Sequence, residues 1–135
     1  MDKMDERIIE ILKKDGRSPF VNIAKKLKTS EGTIRGRVKR MMDRGEIKGF
    51  GVKTTSKDVK AIVEIKIDLN VNTSDISARI SRMNGVEHVY EVSGEEDIVV
   101  IVNVMSATEL NDVIESIRRL DNTLATRTRL VLKET

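Results

Sequence analysis

The spacing of apolar residues changes character once along this chain, near residue 55, and that change constrains the fold more than any other feature. Before it, apolar residues recur every three or four positions, the period of a helix with one buried face. After it, short runs alternate apolar and polar, the period of strands, with two helical stretches set between them. A chain of 135 residues has room for one domain or two small ones. The change of period places a boundary near Thr55 and predicts domains over 1–55 and 56–135.

In the first part, Met4, Ile8, Ile11 and Leu12 share one face of a helix over about 3–15. Asp2 is placed to cap its start, while Asp5 and Glu6 suit the positive end of the helix dipole. Gly16 stops it. Ser18 as N-cap and Pro19 at the first helical position predict a second helix, with Phe20, Ile23, Ala24 and Leu27 inward. A tight turn at "KTS" leads to Ser30, which caps a third helix to about Arg44 with Ile34, Val38 and Met41 inward. Two short helices joined by such a turn, with a third before them, form a helix-turn-helix pattern.

The third helix is strongly basic. Ser30, Glu31, Gly32, Thr33, Arg35, Gly36, Arg37, Lys39 and Arg40 are the candidate DNA-contacting residues, because the second helix of this motif enters the major groove by its N-terminal part. Arg can bond a guanine edge bidentately, Thr can meet phosphate or a thymine methyl, and Glu can accept from cytosine. Gly32 and Gly36 each weaken an exposed helix by about 1 kcal/mol, which close approach of the backbone to a partner would explain. The plainer alternative is a small helical bundle with a solvated basic face. Charge favours the DNA reading: residues 1–56 hold 15 Lys and Arg against 8 Asp and Glu, whereas residues 57–135 hold 10 against 14. A short strand over 47–54, carrying Phe50 and Val52, and a polar hinge at 56–59 are expected to join the two parts.

The second part reads as strand, helix, strand, strand, helix, strand. Val63, Ile65, Ile67 and Leu69 alternate over 61–69. Ile76, Ile80 and Met83 face inward from a helix broken by "NG". Val86, His88, Tyr90 and Val92 share a face of the next strand. Residues 98–104, "IVVIVNV", are apolar on both faces. Ser106 and Glu109 predict a capping box for a helix presenting Leu110, Val113, Ile114, Ile117 and Leu120. The last strand runs over about 126–132. The βαββαβ order predicts a ferredoxin-like sheet with both helices on one face. An uncovered apolar face then marks a partner surface, so two copies are expected to pack sheet against sheet.

Composition excludes several chemistries. The chain has no Cys, so disulfides and thiolate metal sites are absent, and its single His cannot build a conventional zinc centre. We therefore expect no metal, no cofactor, no catalytic residues and no enzyme activity. No apolar run is long enough to span a membrane, and no signal peptide is recognisable, so a cytoplasmic protein is expected. A charged content of 35% with one His fits a heat-adapted organism.

The pieces "KDGR", "IAKKL", "TIRGRVKRM" and "GEIKGF", in that order, resemble the DNA-binding domain of the Lrp/AsnC (feast/famine) regulators. "SGEEDIVVIV" resembles their second domain, with Gly94 and Asp97 matching a Gly-x-x-Asp turn. Two departures lie in the third helix: Glu31-Gly32 replaces a common Pro-Ser or Pro-Thr, and Gly36 replaces a polar or basic residue. The resemblance implies an α+β chain: a three-helix winged or helix-turn-helix domain followed by a ferredoxin-like (RAM-type) domain. It implies a transcription regulator of double-stranded DNA, a homodimer assembling to a tetramer or octamer, and a small-molecule effector, commonly an amino acid, near Gly94, Glu96 and Asp97. Two alternatives stand beside it: RNA-recognition domains share the βαββαβ order, and some tetrapyrrole decarboxylases resemble the same two-domain plan. An RNA-binding protein would want sheet aromatics, of which only Tyr90 is present. A tetrapyrrole (sirohaem-type) decarboxylase would want several histidines.

Overall fold

The structure, a computed structural model, describes residues 1–54 and 58–135. It divides into two compact units, Met1–Thr54 and Thr55–Thr135. The boundary expected near Thr55, and the first two residues of the hinge expected at 56–59, lie outside the described residues.

The first unit is three helices, α1 (Lys3–Lys14), α2 (Phe20–Leu27) and α3 (Glu31–Asp43). Asp2 caps α1 as expected, accepting from the Asp5 amide in a capping box that uses both carboxylates. Ser18 does not cap α2. Pro19 occupies the cap position, with ψ at 141° and its carbonyl accepting from the Ile23 amide. Its ring fixes φ for a helix, but ψ stays extended, so the helix begins one residue later than expected. Lys28, at φ 55°, makes the left-handed turn into α3, and Ser30 caps that helix. Ile8 and Leu12 from α1, Ile23, Ala24 and Leu27 from α2, and Ile34, Val38 and Met41 from α3 form one buried cluster. Each large side chain removed from water contributes about 1.5–3 kcal/mol, which is what orients the basic helix.

The strand expected over 47–54 does not form. Ile47 rests against the core, but Phe50 is exposed and Val52 is 87% exposed. Extended chain becomes a strand only where it joins a hydrogen-bonded ladder, and residues 47–54 join none.

The second unit comprises β1 (Val59–Ile67), α4 (Thr73–Ser81), β2 (Val86–Glu91), β3 (Ile98–Val104), α5 (Ala107–Arg118) and β4 (Thr123–Leu130). The sheet order is β2-β3-β1-β4, with every neighbouring pair antiparallel. Ala61, Val63, Ile65 and Ile67 of β1 and Ile98, Val100, Val102 and Val104 of β3 are buried with Ile76, Ile80, Leu110, Val113 and Ile117 of the helices. The other sheet face carries Ile62, Val99 and Ile101 at its centre, all only partly buried.

Four details depart from expectation. The last strand, expected over about 126–132, runs Thr123–Leu130. Leu69 lies past the end of β1 and is 94% exposed. Val86 does not share a face with His88 and Tyr90. It pairs with Val102 while His88 pairs with Ile101, so Glu87 is an extra, bulged residue that reverses the alternation. Val86 and Val89 pack on the core, and the exposed His88 and Tyr90 rings stack 5.9 Å apart on the open face. At α5, Ser106 accepts from the Glu109 amide, but Glu109 accepts from Met105, one residue earlier than a reciprocal box. No helix among the described residues is long and apolar enough to cross a membrane.

Candidate nucleic-acid interface and effector turn

An α-helix turns about 100° per residue, so positions three or four apart share a face and positions two apart point nearly opposite ways. On α3 the inward stripe is Ile34, Val38 and Met41. Arg37, three residues from Ile34, belongs to that side. The outward side carries Gly32, Arg35, Gly36 and Lys39, with Glu31 and Arg40 at its two edges, all exposed. Of the nine candidate residues, the fold places these six at the exposed part of the helix.

Ser30 and Thr33 are occupied by the cap. Ser30 Oγ accepts from the Thr33 amide at 3.2 Å and lies 2.8 Å from Thr33 Oγ1. Their hydroxyls fix the start of the helix.

Arg37 is drawn away from the outward surface. Its Nη1 donates to Asp2 Oδ2 at 2.6 Å and to Asp5 Oδ1 at 3.0 Å, and its side chain is 22% exposed. Asp5 is the buried polar residue of this unit. The bond from Arg37, then that from the Asp5 amide, hold the Asp2 carboxyl below its ordinary range. The Asp2 and Asp5 bonds in turn raise the guanidinium further. The same two carboxylates thus cap α1 and tie α3 to it. Reading Arg37 as an exposed DNA contact missed this pairing. The available signal was its position on the Ile34–Val38 stripe, where an arginine needs a buried partner.

Arg35 is on the outward side and is held there. Its Nη2 donates to Glu31 Oε1 at 2.6 Å, one helical turn earlier. Its guanidinium carbon stands 5.4 Å from the centre of the Phe20 ring at the start of α2, a cation–π contact. Its helical spacing alone marks Phe20 as a core residue, and the structure adds this contact. Beside Arg35, a Cβ placed on Gly32 or Gly36 would meet nothing within 4 Å. The fold itself does not require glycine at either position. Lys39 and Arg40 stand exposed without ion-pair partners among the described residues.

In the second unit, Gly94, Glu96 and Asp97 fall in the turn between β2 and β3. Gly94 has φ of 117°, a conformation L side chains avoid. Asp97 Oδ2 accepts from the Ile67 amide at 2.8 Å, and the Asp97 amide donates to the Ile65 carbonyl at 2.9 Å. Lys66 donates to the Glu95 carbonyl at 2.7 Å. Asp97 therefore fastens the turn to the end of β1, a role the sequence did not suggest. Glu96 is half-buried beside it.

Comparison with known proteins separates along the same two units. Residues 1–42 match the AsnC-type helix-turn-helix domain, and residues 60–135 match the Lrp/AsnC ligand binding domain. The HTH-type transcriptional regulator LysM of Sulfurisphaera tokodaii is 37% identical over 134 residues, covering 98% of this chain and 96% of that protein. Among solved structures, the leucine response regulatory protein LrpA of Mycobacterium tuberculosis has a TM-score of 0.85 at 29% identity, covering 99% of this chain and 93% of that one. A feast or famine regulatory protein of M. tuberculosis, complexed with L-methionine, has a TM-score of 0.81 at 30% identity, covering 98% and 92%.

Proposed function

The chain belongs to the Lrp/AsnC family, as a helix-turn-helix transcriptional regulator with a ligand-binding domain, and from that premise we propose how its parts divide the work. The outward face of α3 docks in the major groove of duplex DNA. Arg35, Lys39 and Arg40 supply the positive charge, and Gly32 and Gly36 let the helix backbone come close. The observation that carries this reading is that exposed, cationic, side-chain-poor surface, whose glycines have no packing reason inside the protein.

The protein works as a homodimer in the cytoplasm, joined through the open sheet face at Ile62, Val99 and Ile101, and dimers assemble further to a tetramer or octamer. Residues 1–55 form the DNA-binding domain and 56–135 the effector and assembly domain. The effector is a small molecule with amino-acid chemistry, as the L-methionine held by the M. tuberculosis neighbour suggests. It is received at the turn of Gly94, Glu96 and Asp97. Because Asp97 Oδ2 already holds the Ile67 amide, Asp97 shapes the turn, while Glu96 and the turn's backbone amides do the contacting. The matches to regulators over the whole chain favour this reading over RNA binding and over a tetrapyrrole decarboxylase.

Selection of duplexes from a random library by the full-length protein tests the proposal. A two-fold symmetric motif with half-sites about 34–36 Å apart is expected. Affinity should fall steeply with salt as phosphate counterions are released. Enrichment of no motif at any salt concentration refutes the reading.

A further inference from the structure

Within the proposed DNA-binding role, we infer that Arg35 is the residue that reads a guanine in the operator, and that Glu31 and Phe20 are the positioning residues that hold it ready. Two arginines in the N-terminal half of α3 qualify by sequence, and the structure separates them. Arg37 lies two positions on, about 200° around the helix, with its Nη1 spent on Asp2 and Asp5. Arg35 faces outward, between Gly32 and Gly36, where nothing of the protein crowds the backbone. Lys39 and Arg40 sit further along the helix, beyond the N-terminal residues that meet base edges in this motif, and suit phosphates.

Arg35 is restrained from two directions. Glu31, on its own helix, accepts from Nη2 at 2.6 Å. Phe20, on α2, has its ring centre 5.4 Å from the guanidinium carbon. A long side chain ordered before binding loses less entropy when it binds. One of its five N–H groups goes to Glu31, and the remainder suffice for a bidentate fork onto guanine O6 and N7. The ring contact also narrows the orientations open to that fork, a restraint that a fully solvated arginine lacks. Glu31 contributes as a second constraint. An acceptor-only carboxylate beside the fork is repelled by phosphate, so the pair is suited to base edges and unsuited to the backbone.

The test is random-duplex selection with the full-length wild type and the variants Arg35→Ala, Arg35→Lys, Glu31→Gln, Phe20→Leu and Phe20→Tyr, each first checked for an intact helical melt. Arg35→Ala and Arg35→Lys should flatten the preference for guanine at one symmetry-related position of the motif by about tenfold or more. The slope of affinity against salt should change little. Phe20→Leu and Glu31→Gln should weaken the same preference in part, and Phe20→Tyr, which keeps a ring face, should retain it. If Arg35→Ala leaves the motif intact, lowers affinity uniformly and makes the salt slope shallower, Arg35 is a phosphate contact. The inference then falls while the proposed function stands. If the wild type selects no motif, both fall.

Discussion

Arg37 Nη1 lies 2.6 Å from Asp2 Oδ2, so the residue that opens α1 is bonded to the middle of α3. With the Asp5 bond beside it, this makes the basic helix answer to the N-terminus of the chain.

Acid should therefore loosen the first unit through Asp2. Its folded-state pKa is lowered, chiefly by Arg37, from an ordinary value of 3.8. A lowered carboxylate contributes stability that is fully present above the unfolded value, about 3.9, and is lost as pH falls through the folded one. Asp2→Asn should lower the melting temperature at pH 7, and the gap from wild type should close as pH drops below about 4. Circular dichroism melts between pH 2.5 and 7 measure this. A gap that stays constant across that range means that the ion pair is not its source.

What could be read from the sequence follows the range of the interactions. Helix caps at Asp2 and Ser30 rest on neighbours three residues away, and the strand at Ile98–Val104 rests on an unbroken local run of Ile and Val, so both were legible. The Arg37–Asp2 pair joins residues 35 positions apart, and nothing local announces it. The bulge at Glu87 depends on the register against β3, which a single strand does not encode. The anchoring of Asp97 to Ile67 likewise needs β1 and the turn brought together by the fold. The absent strand over 47–54 errs the other way: its residues suit a strand, but they join no ladder.

Glycine at positions 32 and 36 should cost stability and serve binding. Neither has a neighbour that a methyl group would strike. Gly36→Ala should raise stability by up to about 1 kcal/mol through helix propensity, read by thermal melting. The same change should reduce affinity for the selected operator, because the added methyl stands between helix and groove. Opposite signs in the two measurements support the interface, whereas unchanged affinity would place DNA elsewhere.

Asp97 is expected to act on stability before it acts on any effector. Its carboxylate oxygen takes the Ile67 amide, the last of β1. Asp97→Ala leaves that donor without its partner and should cost about 1–2 kcal/mol. Asp97→Asn, which keeps an amide oxygen as acceptor, should cost less. Tyr90 is the only tyrosine and lies on β2 of the same unit, so its fluorescence during urea unfolding reports this unit. Equal loss in both variants would show that charge, and not the bond, holds the turn.

The open face of the sheet supplies the last prediction. Ile62 pairs with Ile101 across β1 and β3, and Val99 lies two residues from Ile101 on the same side. Glu64 and Arg129 form an ion pair near this cluster, and the stacked His88 and Tyr90 rings lie on the β2 side. In a two-fold dimer each patch meets its own copy, so one substitution at the centre acts twice. Ile101→Asp removes two apolar side chains from the interface and places two carboxylates in it. Desolvating those charges costs several kcal/mol unless each finds a partner, while a monomer leaves them in water. The proposed dimer should weaken by about a hundredfold or more, visible as a shift to monomer in sedimentation equilibrium. The helix-facing core of Val100 and Val102 is untouched, so the melt of the second unit should remain cooperative. A wild type that sediments as a monomer, or a variant that folds and sediments like a dimeric wild type, would rule out this face as the proposed contact.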